Sequence, residues 1–427
     1  MVLTGRAGLV ALALAVVVAV TPAPLAALLV GDLVLLVLIG VDVLLAASPR
    51  RVHAERQLPV NGRLGEPLDT TLLLRNDGRR QLRGRVRDAW PPSAGLTPST
   101  TPVSLASGER FRVAATLRPT RRGDRRARTL VVRALGPLGL AGRQRNLDVP
   151  GRVRVLPHFR SRALLPEKLS RLRQVEGLVA VRGAGRGTEF DSLREYVPGD
   201  DVRSIDWRAT ARRSAVAVRT YRPERDRRVV LVLDTGRTSA GRVGDEPRLD
   251  HALDAALLLS ALAFRAGDRV DLIAHDAVPR AVVERASLAS LSDAMALLEP
   301  ALLESNHQAT LGQTLRIARR RSLVMLFTDL VPAVVEESLL PSLAPLLRRH
   351  TVVIAALADP RVAELVSARG NVSDVYGAAA AERAQAERRR LAGLLRRRGV
   401  EVVDAPPSHF ASAVADAYLA LKAAGRL

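Results

Sequence analysis

The sequence predicts a membrane-anchored, multidomain protein: an N-terminal transmembrane hairpin (residues 1–50), a β-sandwich (51–157), an Arg-rich segment (158–227) and an α/β domain on a parallel sheet (228–427). Three observations predict it. Residues 7–31 carry no charge, short alternating apolar runs broken by turn signals fill residues 52–157, and strand-length apolar runs alternate with helix-length ones from 228 onward.

The apolar N-terminus breaks at Thr21-Pro22-Ala23-Pro24, where two prolines disfavour a continuous helix. The expectation is one span near residues 6–21 and a second near 25–47, the second long enough for a bilayer core of ~30 Å. Arg6 precedes the pair, and Arg50, Arg51 and Arg56 follow it, which places both ends, and the soluble domains, in the cytoplasm. A signal peptide with Leu9–Val20 as its apolar core is the rival reading of the first stretch. Asp32 and Asp42 interrupt the second span and are expected on a shared polar face used for helix packing or oligomerisation, with a functional acid pair as the alternative.

Across 427 residues, 48% are hydrophobic but only 3% aromatic, so the cores must be built from Val, Leu, Ala and Ile. The net charge is +22, and Lys168 and Lys422 are the only lysines. Such an arginine excess reflects either a GC-rich genome or an anionic partner: lipid headgroups, nucleic acid or an acidic protein. Nucleic acid is the weaker choice, because single-strand binders interleave aromatics with basic residues and no zinc finger exists without cysteine. The absence of cysteine also excludes disulfides, thiolate metal sites and a cysteine nucleophile.

In the middle region, runs such as Thr70–Arg75, Arg110–Leu117 and Thr129–Ala134, separated by Asn76-Asp77-Gly78 and Ser107-Gly108, suggest about seven short strands in an immunoglobulin-like sandwich. The glycines at 183, 185 and 187 lack the lysine and hydroxyl that complete a phosphate loop. Farther on, Arg228–Asp234 and Ser322–Leu330 read as buried strands, and sites on parallel sheets lie at the strands' carboxyl ends. Asp234 and Asp329 fall on that edge. With Thr238 they either hold Mg²⁺ loosely or cap the turns that follow. The seven histidines show no metalloprotease or triad spacing.

The densest polar cluster comprises Arg194, Glu195, Tyr196, Pro198, Gly199, Asp200, Asp201, Arg203, Asp206, Trp207 and Arg212. Its carboxylates suit acid–base work, or else Arg194, Arg203, Arg208 and Arg212 lock them in an ion-pair lattice anchored by Trp207.

The run from Gly187 to Arg212, with Arg121-Arg122-Gly123, Gly136-Pro137-Leu138-Gly139-Leu140 and the apolar hairpin, resembles the bacterial domain of unknown function 58 family over nearly the whole chain. The resemblance implies a von Willebrand factor A-like C-terminal domain, whose cation loop reads Asp-x-Ser-x-Ser. Here Asp234 matches the first position, Gly236 stands at the first serine, Thr238 at the second, and Asp329 matches the distal aspartate, with Thr310 or Thr314 as the remaining loop hydroxyl. It also implies partnership with a MoxR-type AAA+ ATPase, hence a non-enzymatic membrane scaffold or adaptor in protein assembly or maturation. The alternatives are a metal-dependent hydrolase using Asp200, Asp201 and Asp206, and an anionic-lipid or nucleic-acid binder.

Overall fold

The computed structural model describes the chain apart from residues 184–188, 199, 213–214, 223–226, 368–369 and 371. It divides into two compact units, Met1–Leu156 and Pro157–Leu427. The Arg-rich segment therefore has no unit of its own and belongs with the second.

In the first unit, helices α1 (Gly5–Val20) and α2 (Pro24–Leu45) pack as a hairpin around the predicted break, with Pro24 opening α2 at its first turn. Among the described residues, one helix, Pro24–Arg51 in its longest extent, is long and apolar enough to cross a membrane; Gly5–Val20 is a shorter apolar helix. Most of the large apolar side chains on both face outward.

The rest of the unit is β structure. Its strands are β1 (Val2–Leu3), β2 (Val52–Gln57), β3 (Asn61–Arg63), β4 (Leu68–Asn76), β5 (Leu82–Asp88), β6 (Leu96–Thr97), β7 (Thr100–Leu105), β8 (Arg110–Leu117), β9 (Gly123–Leu135) and β10 (Ala141–Leu156). They form two sheets, ordered β1-β10-β9-β5-β7 with β3 beside β10, and β2-β4-β8-β6. Leu72, Leu74 and Val113 from one sheet meet Val86, Leu130 and Val132 from the other in a shared core. Strands β9 and β10, 13 and 16 residues long, exceed the short strands expected, because a register shift between Asp148 and Gly151 lets β10 bend and stay paired.

Asp42 corrects the expectation of a polar face shared with Asp32. Asp32 is exposed, whereas Asp42 is fully buried and accepts hydrogen bonds from the backbone N–H groups of Leu138, Leu140 and Ala141 at 2.8, 2.7 and 2.8 Å. The turn Gly136–Leu140 is thus pinned to the last turn of α2. A Cβ at Gly136 would lie 2.1 Å from Asp42 Oδ1, so that glycine is required for the approach. Arg143 Nε and Arg80 Nη1 donate to the carbonyls of Val43 and Leu44 at 3.0 and 2.7 Å, satisfying the end of the helix.

The second unit opens with α3 (Leu165–Gly183). The hairpin β11 (Glu189–Glu195) and β12 (Ala217–Arg222) follows, with α4 (Trp207–Thr210) between its strands. The main sheet holds β13 (Arg228–Asp234), β16 (Arg269–His275), β17 (Pro279–Val283), β18 (Leu323–Phe327), β19 (Thr351–Leu357) and β20 (Glu401–Ala405). A small hairpin, β14 (Arg242–Val243) and β15 (Glu246–Pro247), and helix α5 (Arg237–Ala240) lie between β13 and β16. The helices are α6 (Arg248–Arg265), α7 (Leu288–Ala296), α8 (His307–Ile317), α9 (Leu340–Leu347, entered through a π-helical turn at Ala333–Leu339), α10 (Pro360–Ser367), α11 (Val372–Arg397) and α12 (Pro407–Ala423).

Strand order is β17-β16-β13-β18-β19-β20, parallel except for β17. Side-chain alternation divides the core in two. Val229, Leu231 and Leu233 face α6 and α12, while Val230 and Val232 face α8, α9 and α11. Lys168 on α3 is buried against Asp416 at 2.9 Å, and Leu172 enters the first core, so part of the segment expected to be irregular is built into the α/β fold.

Candidate functional site

The chain runs from β13 to β16 on one side of the sheet and returns to β18 on the other, so the strand order reverses between β13 and β18. In open parallel sheets this is where binding crevices form. Asp234 closes β13, and Thr328-Asp329 follow β18.

Asp234 is buried within a ring of donors. Gly236 N and Thr238 Oγ1 reach it at 2.8 and 3.1 Å, Thr328 Oγ1 donates at 2.7 Å, and Ser305 Oγ donates as well. His307 Nε2 stands 3.6 Å from Oδ2, while its Nδ1 pairs with Ser338 Oγ at 3.1 Å. Burial pushes the Asp234 carboxyl upward, but His307, Ser305 and Thr328 outweigh it and hold it at about 2.

A Cβ on Gly236 would fall 2.1 Å from Ser305 Oγ. The hydroxyl missing at position 236 is thus replaced, in space, by one arriving from a loop some seventy residues away. Sequence reasoning missed Ser305, His307 and Thr328. Only Thr328, beside Asp329, was within reach of a local pattern. Thr310 and Thr314 instead donate along α8 to the carbonyls of Asn306 and Thr310, both at 2.9 Å.

Asp329 has a different setting. Arg388 Nη1 lies 2.7 Å from Oδ1 and Arg248 Nη1 3.2 Å from Oδ2. Arg388 also binds Asp404 and the Leu357 carbonyl, both at 2.9 Å. Burial works against the Arg388 charge, yet Asp329 and Asp404 prevail and raise its pKa. Beside these groups a pocket of about 20 Å³, lined by Thr238, Arg248, Thr328 and Asp329 among others, has room for a water and little more. Among the described residues, no group of three or more His, Cys, Asp or Glu side chains is placed to hold a metal.

The second predicted cluster lies on the β11–β12 hairpin. Arg194 Nη1 binds Asp200 Oδ2 at 2.8 Å, and Val197 N donates to the same oxygen at 2.9 Å. Asp201 caps its turn through Arg203 N at 3.0 Å. Asp206 accepts from Arg208 N and Ala209 N, both at 3.0 Å, and its other oxygen takes Arg219 Nε at 2.8 Å. Arg194 lowers the Asp200 pKa, and Ala209 N with Arg219 lowers that of Asp206.

The lattice differs from the expected one. The guanidinium that reaches Asp206 is that of Arg219, not of Arg203, Arg208 or Arg212, and Trp207, expected as an anchor, is 68% exposed. Glu195 pairs with Ala217 across the hairpin and Tyr196 N donates to Val216 O at 2.8 Å. Pro198 sits in the turn, and Gly199 lies outside the described residues.

A family model described as "Protein of unknown function DUF58" matches residues 192–399, from β11 to the end of α11. Residues 192–399 of this chain, just under half of its length, carry the DUF58 family match. Uncharacterised proteins of Mycobacterium bovis and Mycobacterium tuberculosis are 28% identical over 192 residues, 42% of this chain and 58% of theirs. The chain thus spans under two thirds of the length of these relatives. Partial likenesses to solved structures are the CARDB domain of PF1109 from Pyrococcus furiosus (15% identity, TM-score 0.19, 25% of this chain and 94% of that one) and the vWF domain of the pilus tip protein Mfa5 from Porphyromonas gingivalis (18%, 0.19, 24% and 38%). The DUF58 match takes in the signature hairpin and the Asp234 edge together, but not the β-rich first unit.

Proposed function

We propose that this protein is a non-enzymatic membrane scaffold or adaptor whose α/β domain, von Willebrand factor A-like in architecture, docks a partner protein at the carboxyl edge of its sheet. One observation carries the reading: Leu302 and Leu303, 81% and 50% exposed, project from the loop that Ser305 ties to Asp234. Arg237 N binds the Leu303 carbonyl at 2.8 Å and Ala301 N binds the Thr235 carbonyl at 2.8 Å, so the leucines sit on a braced loop. Apolar side chains held rigidly in water lose little entropy on binding and suit a protein partner. The family resemblance supplies the partner class, a MoxR-type AAA+ ATPase or its client in protein assembly or maturation.

In this proposal the edge works without a bound cation. The hydroxyls around Asp234 already donate to it, and Asp329 is held by two guanidiniums that a divalent ion would have to displace, so the donor set does not fit Mg²⁺. The carboxylates at 200, 201 and 206 are engaged by arginines and backbone N–H groups, which gives no support to the hydrolase alternative. The apolar exterior of α1 and α2 supports a two-span anchor, with Arg6, Arg50 and Arg51 on the cytoplasmic side.

The test is co-purification of the ATPase from detergent extract with wild-type chain and with Leu302→Asp/Leu303→Asp. At least a several-fold loss of recovery is expected from the variant. Equal recovery from a folded variant removes the proposed edge.

A further inference from the structure

At the foot of the helical hairpin the first unit has an open groove of about 680 Å³, whose lining includes Ser48, Pro49, Arg50, Arg143, Gln144 and Arg145. No carboxylate lines it. Arg143 and Arg145 are two apart on β10 and so share a face of that strand. Arg143 uses Nε to hold the Val43 carbonyl, which fixes the guanidinium and leaves its two terminal nitrogens available. Arg50 and Arg145 are exposed and have no acidic partner among the described residues. The groove lies just beyond the point where α2 ends at Leu45, with Leu44 exposed on the last apolar turn.

We infer that this groove is a binding site for the headgroup of an anionic phospholipid. The inference rests on the reading of α2 as a membrane span. If the helix occupies the hydrocarbon layer, the groove stands at the depth of the lipid phosphates, and acyl chains can lie along the apolar exterior of the helix. Guanidiniums suit a phosphate diester because each offers paired N–H donors in one plane. Unpaired arginines beside a span are the ordinary means of recognising acidic lipid. A cation-lined groove without acid attracts a net-anionic headgroup more strongly than a zwitterionic one, whose choline charge opposes the pull on its phosphate, so phosphatidylglycerol should be preferred to phosphatidylcholine.

The experiment uses the full chain in detergent micelles and native mass spectrometry, with phosphatidylglycerol and phosphatidylcholine of identical acyl chains and, in a third arm, inorganic phosphate. Arg50→Gln/Arg145→Gln is the variant, because both side chains are exposed and its thermal unfolding should match wild type. The wild type should retain phosphatidylglycerol selectively, and the variant should lose affinity for it by roughly tenfold while its weak binding of phosphatidylcholine is unchanged. Equal retention of the two lipids, or an unchanged affinity in the variant, overturns the inference. Displacement of phosphatidylglycerol by an equal concentration of inorganic phosphate overturns it too, in favour of a soluble-phosphate site. Flotation with pure phosphatidylcholine vesicles separates the two readings. A chain that floats but shows no preference for acidic lipid loses only the headgroup site; a chain that does not float loses the anchor and the site together.

Discussion

Asp234 shows how much one side chain can organise. Its two oxygens take donors from its own turn, from the loop before α8 and from the end of β18. Removing the carboxylate strands several buried donors, so Asp234→Ala should cost about 3 kcal/mol, measured by urea unfolding. Its pKa lies at about 2 in the folded chain against an ordinary 3.8. A lowered pKa means the stabilisation is complete above the ordinary value and is lost as the pH falls toward 2. The linkage is worth about 2 kcal/mol. The stability difference between wild type and Asp234→Asn should therefore shrink between about pH 4 and pH 2; a difference that stays constant through that window would remove the role assigned to the carboxylate.

At the scale of elements, the carboxyl edge of the sheet and the base of the hairpin are both held by polar side chains reaching across long stretches of sequence. Because Asp329 lies between Arg248 and Arg388, millimolar Mg²⁺ should leave the melting temperature of the chain within about 1 °C of its value in chelator. A saturable rise that disappears in Asp234→Asn would show that a cation does enter. In the first unit, Asp42→Ala deprives three backbone N–H groups of their acceptor and should cost about 3 kcal/mol, and Gly136→Ala, whose Cβ would overlap the same carboxylate and force it away from those donors, should destabilise as well. Thermal unfolding of both variants in detergent checks this. Neither tie could be read from local pattern, since hydrophobic periodicity reports which face of an element is buried but not which distant backbone meets its polar residues.

For the whole molecule, the division at residue 156 predicts that residues 157–427 form a folded unit by themselves, with its two cores and the buried Lys168–Asp416 pair intact. Expressed alone, this fragment should give one cooperative thermal transition by circular dichroism. A fragment that lacks α3 and begins at residue 184 should be clearly less stable, because Leu172 and Lys168 then leave the core.

What the sequence determined by itself was whatever is periodic or contiguous: the apolar N-terminal helices and their proline break, the strand–helix alternation, the placing of Asp234 and Asp329 at strand ends, and the signature run around residue 200. These are local properties, because burial imposes a repeat of 2 on strands and 3.6 on helices wherever the chain lies. The tertiary structure alone decided which groups meet there. Ser305 fills the space left by Gly236, two arginines hold Asp329, the guanidinium of Arg219 reaches Asp206 in place of those nearer in sequence, and Asp42 turns inward to a β-turn almost a hundred residues on. Buried polar groups must find partners wherever the fold brings them, and nothing in the spacing of the chain records which those will be.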